Sequence, residues 1–134
     1  MKKNDTYLYP AVFGYEPGEE ISVFFPDLDV ATSGINDADA MASARELLGI
    51  TLYGMEEDHD AIPAPTPLDK VQTGPNEHTV LIDVFMPSIR LAEANRAVNR
   101  TVTLPAWLNA AALEKKINFS QVLQEALKQQ LHLG

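Results

Sequence analysis

The last third of the chain most constrains what this sequence can fold into, because its segments bury little surface alone. Residues 98–104 alternate between apolar and polar side chains, the pattern of a strand with one apolar face formed by Val98, Val102 and Leu104. A proline follows, and then two segments with helical spacing joined by a short turn. A strand and two helices in so few residues predict an intertwined dimer whose paired strands form a ribbon.

The two helical segments carry their own start signals. Pro105 suits the first turn of a helix, where its missing N–H is not needed. Trp107 lies on the apolar face of this first helix and is predicted to lie in the dimer core. Asn118, with Gln121 three residues later, predicts the N-cap of the last helix.

The polar side of the ribbon predicts contact with nucleic acid, because two-stranded ribbons can read the DNA major groove. Arg100 interrupts the apolar face and is a candidate for a phosphate contact. Backbone N–H groups at the start of the last helix also favour a phosphate. The alternatives are a solvated strand face and a plain helix cap. The predicted DNA-binding residues are Asn99, Arg100, Thr101, Thr103, Asn118, Phe119 and Ser120.

Charge divides the chain unevenly. The net charge is −9, yet residues 1–89 hold sixteen acidic and four basic side chains, and residues 90–134 hold three acidic and six basic ones. This asymmetry predicts a basic partner for the first part and a polyanion for the second. The alternative for the acidic part is surface charge that only maintains solubility.

Composition limits the class of protein. The 134 residues suffice for one domain, or for a small domain with a dimerising appendage. The absence of cysteine excludes disulfides and thiolate ligands. No apolar run is long enough to span a bilayer, and the polar N-terminus is unlike a signal peptide, so we expect a cytoplasmic protein without membrane contact.

The first part of the chain predicts three strands. Residues 6–13 and 20–25 form a hairpin around a turn with Pro and Gly, and residues 30–33 form a short third strand. Pro10 predicts that the first strand lies at an edge or contains a bulge.

A helix capped by Asn36 is predicted next, followed by a loop rich in proline. Residues 79–85 are almost continuously apolar, which predicts a central, buried strand. Residues 86–97 are predicted to be a linker with at most one helical turn. The predicted order is therefore β-β-β-α-β, in the α+β class.

At this level of detail the sequence resembles the HicB antitoxins of bacterial HicA–HicB toxin–antitoxin systems. The order of the similar segments covers nearly the whole chain. Family members usually have Pro-Gly-Cys after Pro-Asp-Leu, where this chain has Asp-Val-Ala at residues 29–31, and often have Gly where Lys116 stands. The similar segments are residues 9–13, 21–28, 32–34, 63–67, 103–108 and 118–127.

The resemblance implies a partial ribonuclease H-like domain in residues 1–89, a linker in residues 90–97 and a ribbon-helix-helix domain in residues 98–134. The first would bind and neutralise a small basic HicA-type toxin that cleaves mRNA. The second would form a homodimer, or a higher even oligomer, and repress its own operon by binding operator DNA. No catalytic residue, metal or cofactor is implied.

A toxin-binding surface is predicted on the second strand and the nearby acidic residues. Ser22 and Phe24 alternate with the residues of the core face, so they are expected on the opposite face. The alternative is that a helix packs on that face. The predicted toxin-binding residues are Ser22, Phe24, Asp27, Asp29, Asp37 and Asp39.

Two other functions remain open at this point. A solitary regulator could bind RNA or DNA without a toxin. A metal-dependent nuclease would need a carboxylate cluster, for which Asp83 with Asp27 or Asp29 are candidates. The three histidines are far apart and lack the spacing of metal ligands.

Overall fold

The chain folds into two compact units. The structure is a computed structural model that describes residues 3–133. The first unit extends to Arg96, and the second begins at Ala97. The first unit is α+β, as the sequence predicts, and contains all of the buried core.

A four-stranded antiparallel sheet forms the base of the first unit. The strand order is β3-β2-β1-β4, so β2 and β1 occupy the centre. Short turns join β1 to β2 and β2 to β3, as expected for neighbouring antiparallel strands. The strands are β1 (Thr6–Gly14), β2 (Ile21–Phe25), β3 (Val30–Gly34) and β4 (Glu77–Phe85).

Two α-helices, α1 (Asp37–Glu57) and α2 (Met86–Ala94), and a short 3-10 helix at Leu68–Lys70 complete the described part of the first unit. As predicted, the Asn36 side chain caps α1 by accepting the Asp39 N–H at 2.8 Å. Alternate residues of the strands pack with α1 to form the core, in which Tyr9, Phe25, Leu48, Leu52 and Ile82 are fully buried.

The position of β4 differs from the sequence prediction. Its apolar run predicts a central strand, but β4 pairs only with β1 and lies at the edge of the sheet. Ile82 and Val84 face the core, whereas Leu81 and Phe85 point to the other face and are exposed. The strand β4 is therefore apolar on both faces, although Leu81 and Phe85 on its second face remain exposed in this unit.

The context of Pro10 explains why the first strand tolerates it. β1 is central, and its register with β4 is continuous from Thr6 to Gly14 without a bulge. However, β2 pairs only with Val12–Gly14. On the side of β1 away from β4, no described strand therefore pairs with Pro10. The N–H that proline lacks is not needed there, because this half of β1 is locally an edge.

The structure also differs from the predicted linker at residues 86–97. Residues 86–94 form the helix α2, and Ile89 packs on α1 at Gly49, where an added Cβ would lie 3.0 Å from Ile89 Cδ1. The first unit thus continues to Arg96, beyond the predicted boundary at residue 89.

The second unit consists of α3 (Ala106–Glu114) and α4 (Phe119–Gln130). Asn118 caps α4 as predicted, accepting the Gln121 N–H at 3.1 Å. Lys116 turns the chain between the helices with φ 56°, a left-handed conformation. Residues 98–104 have no regular structure in the single chain, because a strand needs a neighbour and this unit offers none.

Candidate functional site

The sheet face opposite α1 carries the first candidate surface. Ser22 and Phe24 are exposed there, while Ile21, Val23 and Phe25 of the same strand are buried in the core. Among the described residues of this unit, the long helix α1 packs on the core face. In the same range no helix covers Ser22 and Phe24, which remain exposed.

Three residues that the sequence analysis missed share this face. Leu8, Leu81 and Phe85 have the outward parity in β1 and β4, and all three are exposed. The register pairs Leu8 with Asp83, which places Leu81 and Phe85 at its diagonal positions, within reach of one another. The sequence signal for these residues is the apolar character of both parities in residues 79–85, a pattern that also predicts a buried strand.

The predicted aspartates have mostly structural contacts. The Asp27 carboxylate accepts the Thr66 N–H at 3.0 Å and the Thr66 hydroxyl at 2.6 Å, which attaches the proline-rich loop to the end of β2. Asp39 accepts the Ile35 N–H at 2.9 Å, completing a reciprocal helix cap.

The other two predicted aspartates lie in turns or at helix starts. Asp37 accepts a hydrogen bond from the Tyr15 hydroxyl at 2.8 Å, and this bond raises the pKa of Tyr15. Asp29 holds a left-handed turn with φ 52°, which Asp tolerates better than most residues. Of the predicted set, only Ser22, Phe24 and Asp29 lack a side-chain hydrogen bond in the part of the chain that is described.

An ion pair joins both helices of the first unit to the segment before β1. The Arg90 guanidinium contacts the Glu56 carboxylate through Nε at 2.9 Å and through Nη2 at 2.7 Å. Nη2 also donates to the Asn4 carbonyl at 2.6 Å. The side chain of Glu56 is only 4% exposed, and its hydrogen bonds raise the pKa of Arg90.

Arg90 therefore belongs to the acidic unit rather than to the basic part of the chain. With the boundary after Arg96, the first unit holds seventeen acidic and six basic residues and carries −11, and the second holds two acidic and four basic residues and carries +2. The predicted charge asymmetry remains after this correction.

A groove of about 710 Å³ lies between β1 and the loop after α1. Its walls include Tyr7, Tyr9 and Ile62, and the Tyr9 hydroxyl donates to the Pro63 carbonyl. Burial raises the pKa of both tyrosines, so both phenols are neutral at ordinary pH. Glu56, which lines the groove, is already paired with Arg90.

All of the predicted DNA-binding residues belong to the second unit and are exposed. Arg100, Phe119 and Ser120 line one small groove of about 280 Å³, so the structure brings these three together. The side chain of Asn118 is occupied by the cap of α4. Asn99, Thr101 and Thr103 are exposed and lie in the segment without regular structure.

The second unit has apolar surface but no core. Trp107 is 72% exposed in the single chain, and no described residue from Ala97 onward is buried. This many exposed apolar side chains in one unit are typical of a surface that contacts another chain. The large exposed apolar residues are Val98, Val102, Leu104, Trp107, Leu108, Leu113, Ile117, Phe119, Val122, Leu123, Leu127, Leu131 and Leu133.

The carboxylate cluster that the nuclease alternative would need is not found among the described residues. Asp83 pairs with Arg45 at 3.1 Å, and Asp27 is bonded to Thr66. Within residues 3–133, no three His, Cys, Asp or Glu side chains come together in a way that would hold a metal ion. None of the helices in this range is long and apolar enough to cross a membrane.

Comparison with known proteins gives matches by structure. No family model matches the chain, and no curated protein matches it. A chain of the toxin–antitoxin complex from Streptococcus pneumoniae is 26% identical, with a TM-score of 0.60 over 93% of this chain and 99% of that one. The antitoxin HicB of Burkholderia pseudomallei is 17% identical, with a TM-score of 0.53 over 93% of this chain and 98% of its own. The resemblance predicted from the sequence is thereby confirmed: this chain has the fold of a HicB-family antitoxin.

Proposed function

We propose that this protein is the antitoxin of a toxin–antitoxin pair and the repressor of its own operon. In this proposal the first unit, a partial ribonuclease H-like domain, binds and occludes a HicA-type toxin that cleaves mRNA. The second unit forms a ribbon-helix-helix homodimer, or part of a higher even oligomer, and binds operator DNA in the cytoplasm. The observation that carries the proposal is the division into an acidic unit with its own core and a basic unit without one.

The case for a homodimer comes from what the second unit lacks. Its apolar side chains, Trp107 included, have nothing to pack against in the single chain. Residues 98–104 keep the alternating pattern of a strand but have no neighbour to pair with. A second copy would provide both the missing packing partner and the missing neighbour strand, because two such segments pair into a ribbon and the four helices then enclose one core.

The case for operator DNA comes from the polar parity of the same segment. When the apolar parity faces the dimer core, Asn99, Thr101 and Thr103 face outward, where they would hydrogen-bond base edges or contact thymine methyl groups. Arg100 lines one groove with Ser120 of α4, and we expect it to contact a phosphate near the start of that helix. The net charge of +2 on this unit favours a polyanion.

The case for a basic toxin comes from the first unit. Its net charge of −11 favours a cationic partner through long-range attraction. Phe24, Leu8 and Leu81 provide exposed apolar contact area on the face that α1 leaves open. Asp29 is the carboxylate of the predicted set that is least engaged within the chain.

Operator binding is tested by fluorescence anisotropy with the DNA upstream of the coding sequence and a scrambled duplex. We expect the wild type to prefer the upstream DNA and to lose affinity steeply with salt. Thr101→Ala with Thr103→Ala should remove this preference, since each base contact contributes about 1–3 kcal/mol of discrimination. If the double variant still prefers its operator, the assignment of the ribbon is wrong.

Toxin binding is tested by capture of a catalytically inactive HicA-type toxin from a purified mixture. Residues 1–96 have their own core, so a chain that ends at Arg96 should fold and retain the toxin. The matched control is the Thr101→Ala, Thr103→Ala variant, which should bind toxin like the wild type. A folded 1–96 fragment that does not bind toxin, when the whole chain does, would refute the division of labour.

Structured RNA in the same anisotropy assay distinguishes a solitary RNA-binding regulator. A paired ribbon fits the major groove of B-form duplexes but not the deep, narrow groove of A-form RNA. Preference for RNA over the upstream DNA would favour that alternative.

A further inference from the structure

The edge strand β4 is the longest unpaired boundary of the sheet. It extends over nine residues, Glu77–Phe85, and each of them is in register with β1 on one side only. The other edge, β3, has five residues, and an added Cβ at its last residue, Gly34, would collide with the Ala40 backbone at the start of α1. The two edges therefore differ, because α1 covers the end of β3.

The main-chain groups on the free side of β4 are unpaired along most of the strand in the described chain. Hydrogen bonds from other segments reach only its ends, where the Glu77 N–H donates to the Gly74 carbonyl at 3.3 Å and the Phe85 carbonyl accepts from Ser88 Oγ at 3.0 Å. Between these ends, residues 78–84 have no backbone hydrogen bond outside the sheet in the region that the structure describes. Every second residue of an edge strand directs an N–H and a C=O away from the sheet.

Three of the usual protections of an edge strand are absent from β4. Its sequence, EHTVLIDVF, contains no proline and no lysine, and its register contains no bulge. Of its two carboxylates, Asp83 forms an exposed ion pair with Arg45 of α1 at 3.1 Å. Leu81 and Phe85 remain exposed on the open face directly beside the free edge. An isolated protein with such an edge is prone to pair with another chain.

We propose that the free edge of β4 binds an extended segment of a basic protein partner, which adds a fifth strand to the sheet. Main-chain hydrogen bonds along residues 78–84 would supply affinity, and alternate apolar side chains of the segment would cover Leu81 and Phe85. This proposal rests on the proposed function, in which the partner is the toxin, and it names where the toxin attaches.

Charge decides between the two possible sources of an added strand. The first unit carries −11, so two copies that meet edge to edge bring like charges together. A segment with lysine or arginine between its apolar residues gains from the same field. The occupant is therefore a cationic partner rather than a second copy of β4.

The experiment is amide hydrogen exchange by NMR on the full-length chain, alone and with an inactive HicA-type toxin. In the free protein, alternate amides of residues 78–84 should exchange quickly, and those amides should become slow in the complex. Unchanged exchange of these amides in a complex that forms would overturn the proposal and leave the proposed function intact. Slow exchange of the whole segment before toxin is added would show that a second copy occupies the edge, which also overturns it.

A pair of variants tests the same surface by affinity. Leu81→Lys should weaken toxin binding by about tenfold or more, because its ammonium would lose water under the added strand. Ile50→Lys on α1 is the matched control, since Leu81 is 46% exposed and Ile50 is 49% exposed, and it should bind like the wild type. Equal affinities would overturn the proposal, whereas a wild type that binds no toxin would refute the proposed function instead.

Discussion

The two units of this protein use similar apolar side chains in opposite ways. In the first unit, Leu48 and Ile82 are fully buried by neighbours from the same chain. In the second unit, Trp107 and Leu123 remain exposed although their spacing is that of helix faces made for packing. Apolar periodicity therefore identifies a face to be covered but does not say which chain covers it.

The strongest test of this difference is Trp107→Ala in the full-length protein. If Trp107 lies in a dimer core, the substitution should cost about 3–5 kcal/mol per copy, as for other buried aromatic residues. Analytical ultracentrifugation should then find monomer at concentrations where the wild type is dimeric. Leu91→Ala, at an exposed position of α2, should leave the oligomeric state unchanged. Dimers of equal stability would show that Trp107 has no part in the core.

The ion pair of the first unit provides the next test, because it stabilises that unit without a second copy. Arg90→Met should lower the free energy of unfolding by about 3 kcal/mol, since Glu56 remains buried without its partner. Arg45→Met is the control, because its pair with Asp83 is exposed and should contribute about 0–1 kcal/mol. Urea denaturation measures both, and similar losses for the two variants would contradict this ranking.

Alanine substitutions at two glycines of the first unit should change its stability by smaller amounts and in opposite directions. Gly54→Ala should stabilise it by about 1 kcal/mol, because helical glycine is unfavourable and the new Cβ meets nothing within 4 Å. Gly34→Ala should destabilise it, since its Cβ would collide with the backbone of α1. Thermal denaturation at two protein concentrations should give the same direction for both shifts, as expected for a unit that folds within one chain.

The smallest effect concerns the turn of the second unit. Lys116→Gly should stabilise the second unit by about 0.5 kcal/mol, because the left-handed conformation is unfavourable for lysine and glycine loses part of the gain through its own flexibility. Lys115→Gly removes the same charge at φ −89° and should destabilise instead. The melting temperatures of the two variants test this prediction, and a loss of stability in both would show that the turn is not strained.

The candidate surfaces were only partly predictable from the sequence. The outward position of Ser22 and Phe24 followed from the strand period, and the exposure of both is as expected. The contacts of Asp27 with Thr66 and of Asp37 with Tyr15 join residues far apart in the chain, so no local pattern could indicate them. Those contacts give Asp27 and Asp37 structural roles that the sequence did not predict.

By itself the sequence determined the local features, because caps, turns and side-chain periods depend on near neighbours. Asn36 and Asn118 cap the predicted helices, and the resemblance to HicB antitoxins followed from the order of the segments. Only the tertiary structure decided that β4 lies at an edge and that Arg90 belongs to the acidic unit. These two facts depend on which distant segments meet, and the free energy of that choice comes from packing and pairing across the whole unit rather than from any local stretch.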